Sequence, residues 1–347
     1  MSAAWASGID IDTARAEAYL TAQVPGFAGP AVWRRFSGGQ SNPTYRLTAA
    51  SGGDYVLRRK PFGPLLPSAH AIEREYRVMA ALGSTAVPVP RMVHRCDDAD
   101  VIGAPFYVMA FVAGEVHFDT RLPGRTPAFR RAVAEALVDT LAAIHRVDVA
   151  AAGLADYGRP GGYIARQTAR WSTQYRASET QPIPAMETLI ARLPDAVAAL
   201  PDETCLVHGD FRLDNLKFAE GTATPVAVLD WELSTLGHPL ADLGYLLMTW
   251  AFPGALRWGL ADADLEALGL PTAEALAARY AGATGRQGMP DLDLLIAYNA
   301  FRMAAIIQGV YRRGLDGNAA DAAALGMGAD VPALAAVALQ RLRRAGR

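Results

Sequence analysis

The sequence predicts an α+β protein of two lobes: a small five-stranded antiparallel β lobe with one main helix, then a larger, mostly helical lobe. Three observations predict it. Short β-prone runs separated by turn signals fill the first third of the chain, and helical periodicity fills the rest. A single hairpin pattern at 216–230 interrupts the helices.

The elements follow in order. "AVWRRF" and "TYRLTAA" flank the turn-rich "SGGQSNP", and "YVLRR" follows the turn signal "SGGD", which together make an antiparallel meander over 31–59. A proline-rich loop at 61–67 leads to a helical pattern from Ala69 to Leu82. "VPVPRMVH" and "PFYVMAFV" then supply two strands around the polar turn "CDDAD". The order β-β-β-α-β-β ends near Val112, dividing the chain into 1–112 and 113–347. Helical patterns cover 128–146, 160–177, 184–199, 240–251, 272–282, 290–313 and 330–345. The exception is "LKFA", "EGTATP" and "VAVLD", which read as the hairpin.

Composition narrows the function. A chain of 347 residues, 51% hydrophobic, can bury a large core. Charge is nearly balanced, 33 basic against 35 acidic residues. Beyond the short "RLRRAGR" there is no basic run, which argues against nucleic acid. Cys96 and Cys205 are too few for a disulfide framework and lack zinc spacing. "MSAAWASGIDID" has neither the basic start nor the apolar stretch of a secretory signal. The most apolar long window, "LGYLLMTWAFPGALRWGL", holds Pro253 and Arg257 and reads as buried helix and turn. The expectation is a cytoplasmic globular protein with no nucleic-acid, membrane or obligate protein partner.

The chemistry concentrates in "LVHGDFRLDNLKF", Leu206 to Phe218. Asn215 precedes the first hairpin strand and Asp230 ends the second, so both stand at one open end of the hairpin. An amide oxygen and a carboxylate there suit a hard cation such as Mg²⁺. Asp210, five residues before Asn215, can accept a proton from a substrate hydroxyl. This is the kinase pattern H-x-D-x-x-x-x-N followed by a second aspartate. A second class stays open: His208, Asp210, Asp230, His238 and Asp242 as a hydrolase cluster for a transition metal. That reading leaves the β lobe without a job.

The β lobe supplies the nucleotide half. "FSGGQSNPTY" is no Walker loop, because it joins two strands and lacks the G-x-x-x-x-G-K pattern. Gly38, Gly39 and Ser41 can still turn backbone N–H groups toward phosphates. In "YVLRRK", Arg58 shares a strand face with Val56. On the following helix Glu75 falls inside the apolar stripe of Ile72, Tyr76, Met79 and Leu82, while Glu73 falls outside it. A carboxylate on a buried stripe needs a partner, and Arg58 is the candidate.

"FSGGQSNPTYRL", "RWSTQYRASETQPIPAMETLI", "HGDFRLDNLKF", "VLDWELSTLGHPLADLGYL" and "IIQGVYRRGLDGNAA" span nearly the whole chain. In these runs it resembles the aminoglycoside phosphotransferase and choline kinase-like family. It is most similar to the kinase domain fused to acyl-CoA dehydrogenases and its free-standing bacterial relatives. The resemblance implies a protein-kinase-like bilobal fold and an ATP-dependent phosphotransferase with an alcohol acceptor, using ATP and Mg²⁺. It makes Asp210 the catalytic base, Asn215 and Asp230 the metal ligands, and His208 a structural member of the loop. Gly38, Gly39 and Ser41 would cover phosphates, and Arg58 with Glu75 would position the nucleotide. Met109 and Phe111 lie in the segment expected to meet the base. Two features depart from the kinase pattern: Arg58 replaces the usual lysine, and "DWE" lacks the glycine after the metal-binding aspartate, with Glu232 left either to assist the metal shell or to cap the next turn.

The implied acceptor is a small molecule with a hydroxyl, a 4-hydroxyacyl-CoA or related hydroxylated acyl compound. The alternatives are an aminoglycoside or other amino-alcohol, or a silent nucleotide-binding role. Trp171, Tyr175, Trp250, Tyr298 and Tyr311, with Arg166, Arg302 and Arg312 among them, are the expected acceptor surface. The basic excess of 160–177 and 290–313 disfavours a polycation.

Overall fold

Alternating side-chain burial along short strands builds the first layer. The computed structural model describes residues 5–6, 8–37, 42–63, 71–256, 258–289, 291–318 and 322–347. By contact the chain divides into two units, Met1–Val116 with Asn215–Leu233, and His117–Asp214 with Ser234–Arg347. The hairpin after the kinase-like motif thus groups with the first unit, although it lies far beyond Val112 in sequence.

The first unit runs β1 (Trp5–Ala6), α1 (Thr13–Gln23), β2 (Ala31–Phe36), β3 (Thr44–Ala49), β4 (Asp54–Arg59), α2 (Ile72–Leu82), β5 (Met92–Cys96) and β6 (Phe106–Ala110). The sheet is antiparallel in the order β1-β2-β3-β4-β6-β5. It holds the five expected strands plus β1, which pairs Trp5 with Phe36 at the edge. The strand expected over "VPVPRMVH" starts only at Met92 and runs on to Cys96, since the prolines before it withhold the N–H a ladder needs. One sheet face buries Tyr45, Leu47, Leu57, Phe106 and Val108 with Ala16 and Leu20 of α1. The helix α1 is an addition to the sequence reading; Asp12 caps it by accepting from Arg15 N at 3.0 Å. Arg59, 1% exposed, is paired to Asp10 at 2.7 Å.

The second unit and the hairpin follow: α3 (Pro127–His145), α4 (Tyr163–Ser178), α5 (Pro184–Ala198), β7 (Cys205–Val207), β8 (Leu216–Phe218), β9 (Pro225–Val228), β10 (Thr235–Gly237), α6 (Pro239–Leu247), α7 (Leu265–Leu268), α8 (Ala273–Thr284), α9 (Leu292–Leu315) and α10 (Asp330–Arg344). The axis of its core is α9, against which α4, α5, α6 and α10 pack. By length and apolarity α9 would suffice to cross a membrane, but most of it is buried in this core. Every residue of α6 is buried, and the described part of the apolar window that begins inside it, at Leu243, is helix and turn, as its proline implied.

The hairpin is tied into the first unit by its backbone. Glu115 and Phe218 exchange N–H···O bonds of 2.8 and 2.9 Å, and Val228 N donates to Pro88 O at 2.8 Å. Gly114, at φ 138°, lies so close to the Phe218 carbonyl that any side chain there would collide with it.

Candidate active site

In the first unit, sheet alternation and helix periodicity aim two charges at each other. Arg58 Nε stands 3.0 Å from Glu75 Oε2, with Glu75 buried and Arg58 partly so. The N–H does not point along that line, so the contact is an ion pair without a formed hydrogen bond. Arg58 also lies 3.5 Å from Asp230 and 3.9 Å from Glu232, bridging α2 to the residues beyond β9. Burial works against its charge, but Glu75, then Tyr107 and Asp230, outweigh it and raise its pKa. Burial pushes the Glu75 carboxyl up to about 7, with Arg58 pulling the other way. Glu232 sits in a short 3₁₀ turn, Trp231–Leu233, and faces Arg58.

The hairpin places the two metal candidates. Leu216 pairs with Val228, and Leu229 N donates to Asn215 O at 2.8 Å, so Asn215 and Asp230 occupy the same end. The second strand ends at Val228, two residues sooner than expected, because the chain turns out of the ladder. Asp230 adopts φ 64°, a left-handed conformation that aspartate tolerates better than most side chains. Its Oδ1 is buried and accepts no hydrogen bond. A carboxylate oxygen that accepts no hydrogen bond and has only the Arg58 charge at 3.5 Å, on the hairpin end that also carries an amide, fits a hard divalent cation, which takes oxygen ligands. Among the described residues no group of three or more His, Cys, Asp or Glu side chains converges. This overturns the hydrolase cluster. His238 instead caps α6, accepting from Leu240 N at 3.2 Å, with Nε2 at 2.8 Å from Pro201 O.

The remaining first-unit candidates divide. Met109 pairs with Val56 and Met92 in the sheet. Phe111 donates its N–H to Asp54 O at 3.0 Å, and its ring lies between Arg46 (3.9 Å) and Lys217 (4.7 Å). Lys217 Nζ donates to Val112 O at 2.6 Å. Gly38, Gly39 and Ser41 lie outside the described residues.

In the second unit, Asp210 is held at both oxygens. Tyr245 OH donates to Oδ1 at 2.6 Å and Arg212 Nε to Oδ2 at 3.2 Å. Arg212 also pairs with Asp214 at 2.8 Å. The preceding residues are fixed from below: Asp242 accepts from His208 N at 2.6 Å and Gly209 N at 3.0 Å. Gly209 stands at φ 85°, where a side chain would be strained, and its carbonyl accepts from Arg302 at 2.7 Å. Burial works to raise the Asp242 carboxyl, but His145 and the His208 N–H outweigh it and hold it below the usual carboxylate range. His208 is fully buried, and its Nδ1 accepts from Asp210 N at 3.3 Å, a structural task.

Tyr245 and Arg212 also line a narrow cavity of about 40 Å³ lying wholly within the second unit, with Phe118, Leu137, Trp250 and Trp258 among its walls. Of the aromatics expected to meet an acceptor, only Trp250 lines it. Tyr175 and Tyr298 are core residues, and Trp171 packs against the same core. Arg166 is bound to the carbonyls of Gly161 and Arg159, and Arg312 to Asp316. Sequence reasoning missed Tyr245 and Arg212, and it named Asp242 and Arg302 for other roles than the one they have, which is to fix the 208–210 loop. A lone arginine inside the apolar run "AYNAFRMAAII" and an aspartate inside "HPLADLGYLL" were the available signals.

A profile described as the phosphotransferase enzyme family matches residues 32–294. Acyl-CoA dehydrogenase family member 10 of Mus musculus is 47% identical over 300 residues, covering 85% of this chain and 28% of that protein. The chain therefore spans less than a third of that relative. A solved protein of Ralstonia eutropha, provisionally assigned as an aminoglycoside phosphotransferase, superposes with a TM-score of 0.87 at 45% identity, covering 96% of this chain and 99% of its own. The aminoglycoside phosphotransferase APH(4)-Ia, solved with AMP-PNP and hygromycin B, shares the fold at a TM-score of 0.61 and 15% identity, over 94% and 98% of the two chains.

Proposed function

The chain belongs to the phosphotransferase enzyme family, and from that premise we propose that it moves the γ-phosphoryl group of ATP to the hydroxyl of a small hydroxylated acyl compound, with Asp210 as base. The observation that carries this reading is Asp210 itself: a carboxylate oriented by Tyr245 and Arg212 on a loop that Asp242 and Arg302 fix through its backbone. The acceptor O–H gives its proton to Asp210 while its oxygen bonds to the γ-phosphorus. The bond from that phosphorus to the β,γ-bridging oxygen breaks and ADP leaves. Arg58, held by Glu75, offers a fixed guanidinium to phosphate oxygens. Asn215 and Asp230 would hold Mg²⁺, which when bound neutralises phosphate charge. Most of the catalysis assigned to the chain is positioning.

An acyl acceptor is favoured over an aminoglycoside by charge. The one carboxylate lining the cavity beside Asp210 is Asp214, and it is already paired to Arg212. A polycation would need several free ones. The name of the Mus musculus relative points to acyl-CoA chemistry in the same direction. Two unpaired thiols, Cys96 and Cys205, agree with a cytoplasmic location as part of the proposal. The test is ADP release with hydroxylated acyl-CoAs, aminoglycosides and choline. Wild type should turn over the acyl series, and Asp210→Asn should lower kcat by roughly 10²–10⁴ while leaving ATP affinity intact. Turnover of Asp210→Asn at the wild-type rate would remove the base assignment.

A further inference from the structure

Three non-glycine residues in the described chain have positive φ: Leu122 (48°), Asp230 (64°) and Trp258 (68°). One is the candidate metal ligand. The other two line the cavity beside Asp210. Bulky residues rarely adopt this conformation, and where a fold maintains it the cause is often a ligand clamp. The surroundings hold the strain in place: Thr120 Oγ1 donates to Trp258 O at 3.0 Å, and Arg121 donates to the neighbouring Gly259 O at 2.9 Å. The Trp258 ring stacks over the Arg212 guanidinium at 5.0 Å. Arg212 in turn bonds Asp210, so one wall of the cavity ends on the base. Tyr245 forms a second such link.

The cavity is narrow and apolar. About 40 Å³ accommodates roughly three water-sized spheres, and the mostly apolar lining suits an aliphatic segment better than hydroxyl-rich sugar rings. Val133, Ala134 and Leu137 of α3 present one wall and Leu246 and Trp250 another. Phe118, another lining residue, is 58% exposed, a large apolar side chain left facing water. Its two arginines are committed elsewhere, Arg130 to the carbonyls of Arg121 and Leu122 and Arg212 to Asp210 and Asp214.

We infer that this slot receives the unbranched aliphatic segment of the phosphoryl acceptor, with Tyr245 and Arg212 setting the hydroxyl against Asp210 at its inner end. The inference rests on the acceptor reading above and adds to it a site and the residues that limit chain length. Leu122 and Trp258 are its strained clamps, and Ala134 is the position where added bulk closes it.

Calorimetric binding of neutral straight-chain 1,4-diols of increasing length tests the slot without turnover. For wild type, each added methylene should tighten binding by about fourfold, the equivalent of ~0.8 kcal/mol per buried methylene, until the slot is full. Ala134→Phe should flatten that dependence while the shortest diol binds as before. Should Ala134→Phe fail to fold by circular dichroism, Trp258→Gly serves instead. It removes the clamp and should weaken the longest diols about tenfold and spare the shortest. Asp210→Asn should keep the full chain-length dependence. Affinity independent of length in wild type, or unaltered dependence in a folded blocking variant, overturns the slot and leaves the base assignment standing. A fully active Asp210→Asn with intact length dependence overturns the base and leaves the slot. Displacement of a bound long diol by an equimolar aminoglycoside would also overturn the aliphatic assignment.

Discussion

Tyr245 donates a 2.6 Å hydrogen bond to the Asp210 carboxylate from a fully buried helix, so the orientation of that carboxylate is set by a residue 35 positions away. Tyr245→Phe keeps the ring and removes the donor. A hydrogen bond to a charged group is worth about 1.5–3 kcal/mol. We expect kcat to fall roughly 10- to 100-fold with ATP affinity unchanged, as steady-state kinetics and nucleotide titration would read. An equal loss in both would mean that the phenol only supports the fold.

Asp242 supports the same loop from below, and its charge matters at neutral pH. Its carboxyl is held below the usual range, so its contribution is present above the ordinary carboxylate value and lost only as pH falls through the depressed one. Asp242→Asn disturbs two buried N–H bonds and the contact with His145. The expected cost is about 3 kcal/mol in urea unfolding at pH 7, with a large drop in kcat.

Glu75 gives the opposite sign. Its folded value of about 7 exceeds the ordinary value of 4.5, so between the two the folded state holds more protons than the unfolded one. The stability this contributes is fully present below the ordinary value and disappears as pH rises through 7. Glu75→Gln has no such titration. The melting-temperature advantage of wild type over the variant should therefore narrow from pH 5 to pH 8; parallel curves would contradict it.

Arg58 spans three carboxylates at 3.0, 3.5 and 3.9 Å. Lysine preserves the charge but not the planar fork. Arg58→Lys should raise the KM for ATP several-fold with a modest change in kcat, whereas Arg58→Met should lose both. Indifference of KM to either change would show that Arg58 only neutralises Glu75.

What was legible in the sequence is what local spacing determines. Asp210, Asn215 and Asp230 could be singled out because a five-residue interval and a hairpin fix their order. Arg58 and Glu75 could be matched because strand and helix periods both pointed inward. The helix α1 escaped because its buried positions are few, Ala16 and Leu20, and carry little periodic signal. Tyr245, Asp242 and Arg302 escaped as partners of the 208–210 loop because their contacts cross 35, 34 and 93 residues. Such pairings are set by how helices pack, which residue type alone does not encode. The slot was hidden for the same reason, being assembled from α3, the end of the motif and the segment after α6. Aromatic content directed attention to Tyr175 and Tyr298, and those residues fill the core instead.

The return of Asn215–Leu233 to the first unit bears on how the polypeptide is made. The ribosome delivers the amino-terminal sheet early, but its Pro88 carbonyl and Glu115 backbone wait for Val228 and Phe218. At about 5–20 residues per second, nascent sheet stays open at these positions for several seconds while α3, α4 and α5 emerge. A fragment cut at Val116 would keep those backbone groups open permanently. The first unit is therefore not a detachable module, and domain swaps that preserve it must carry both stretches of sequence.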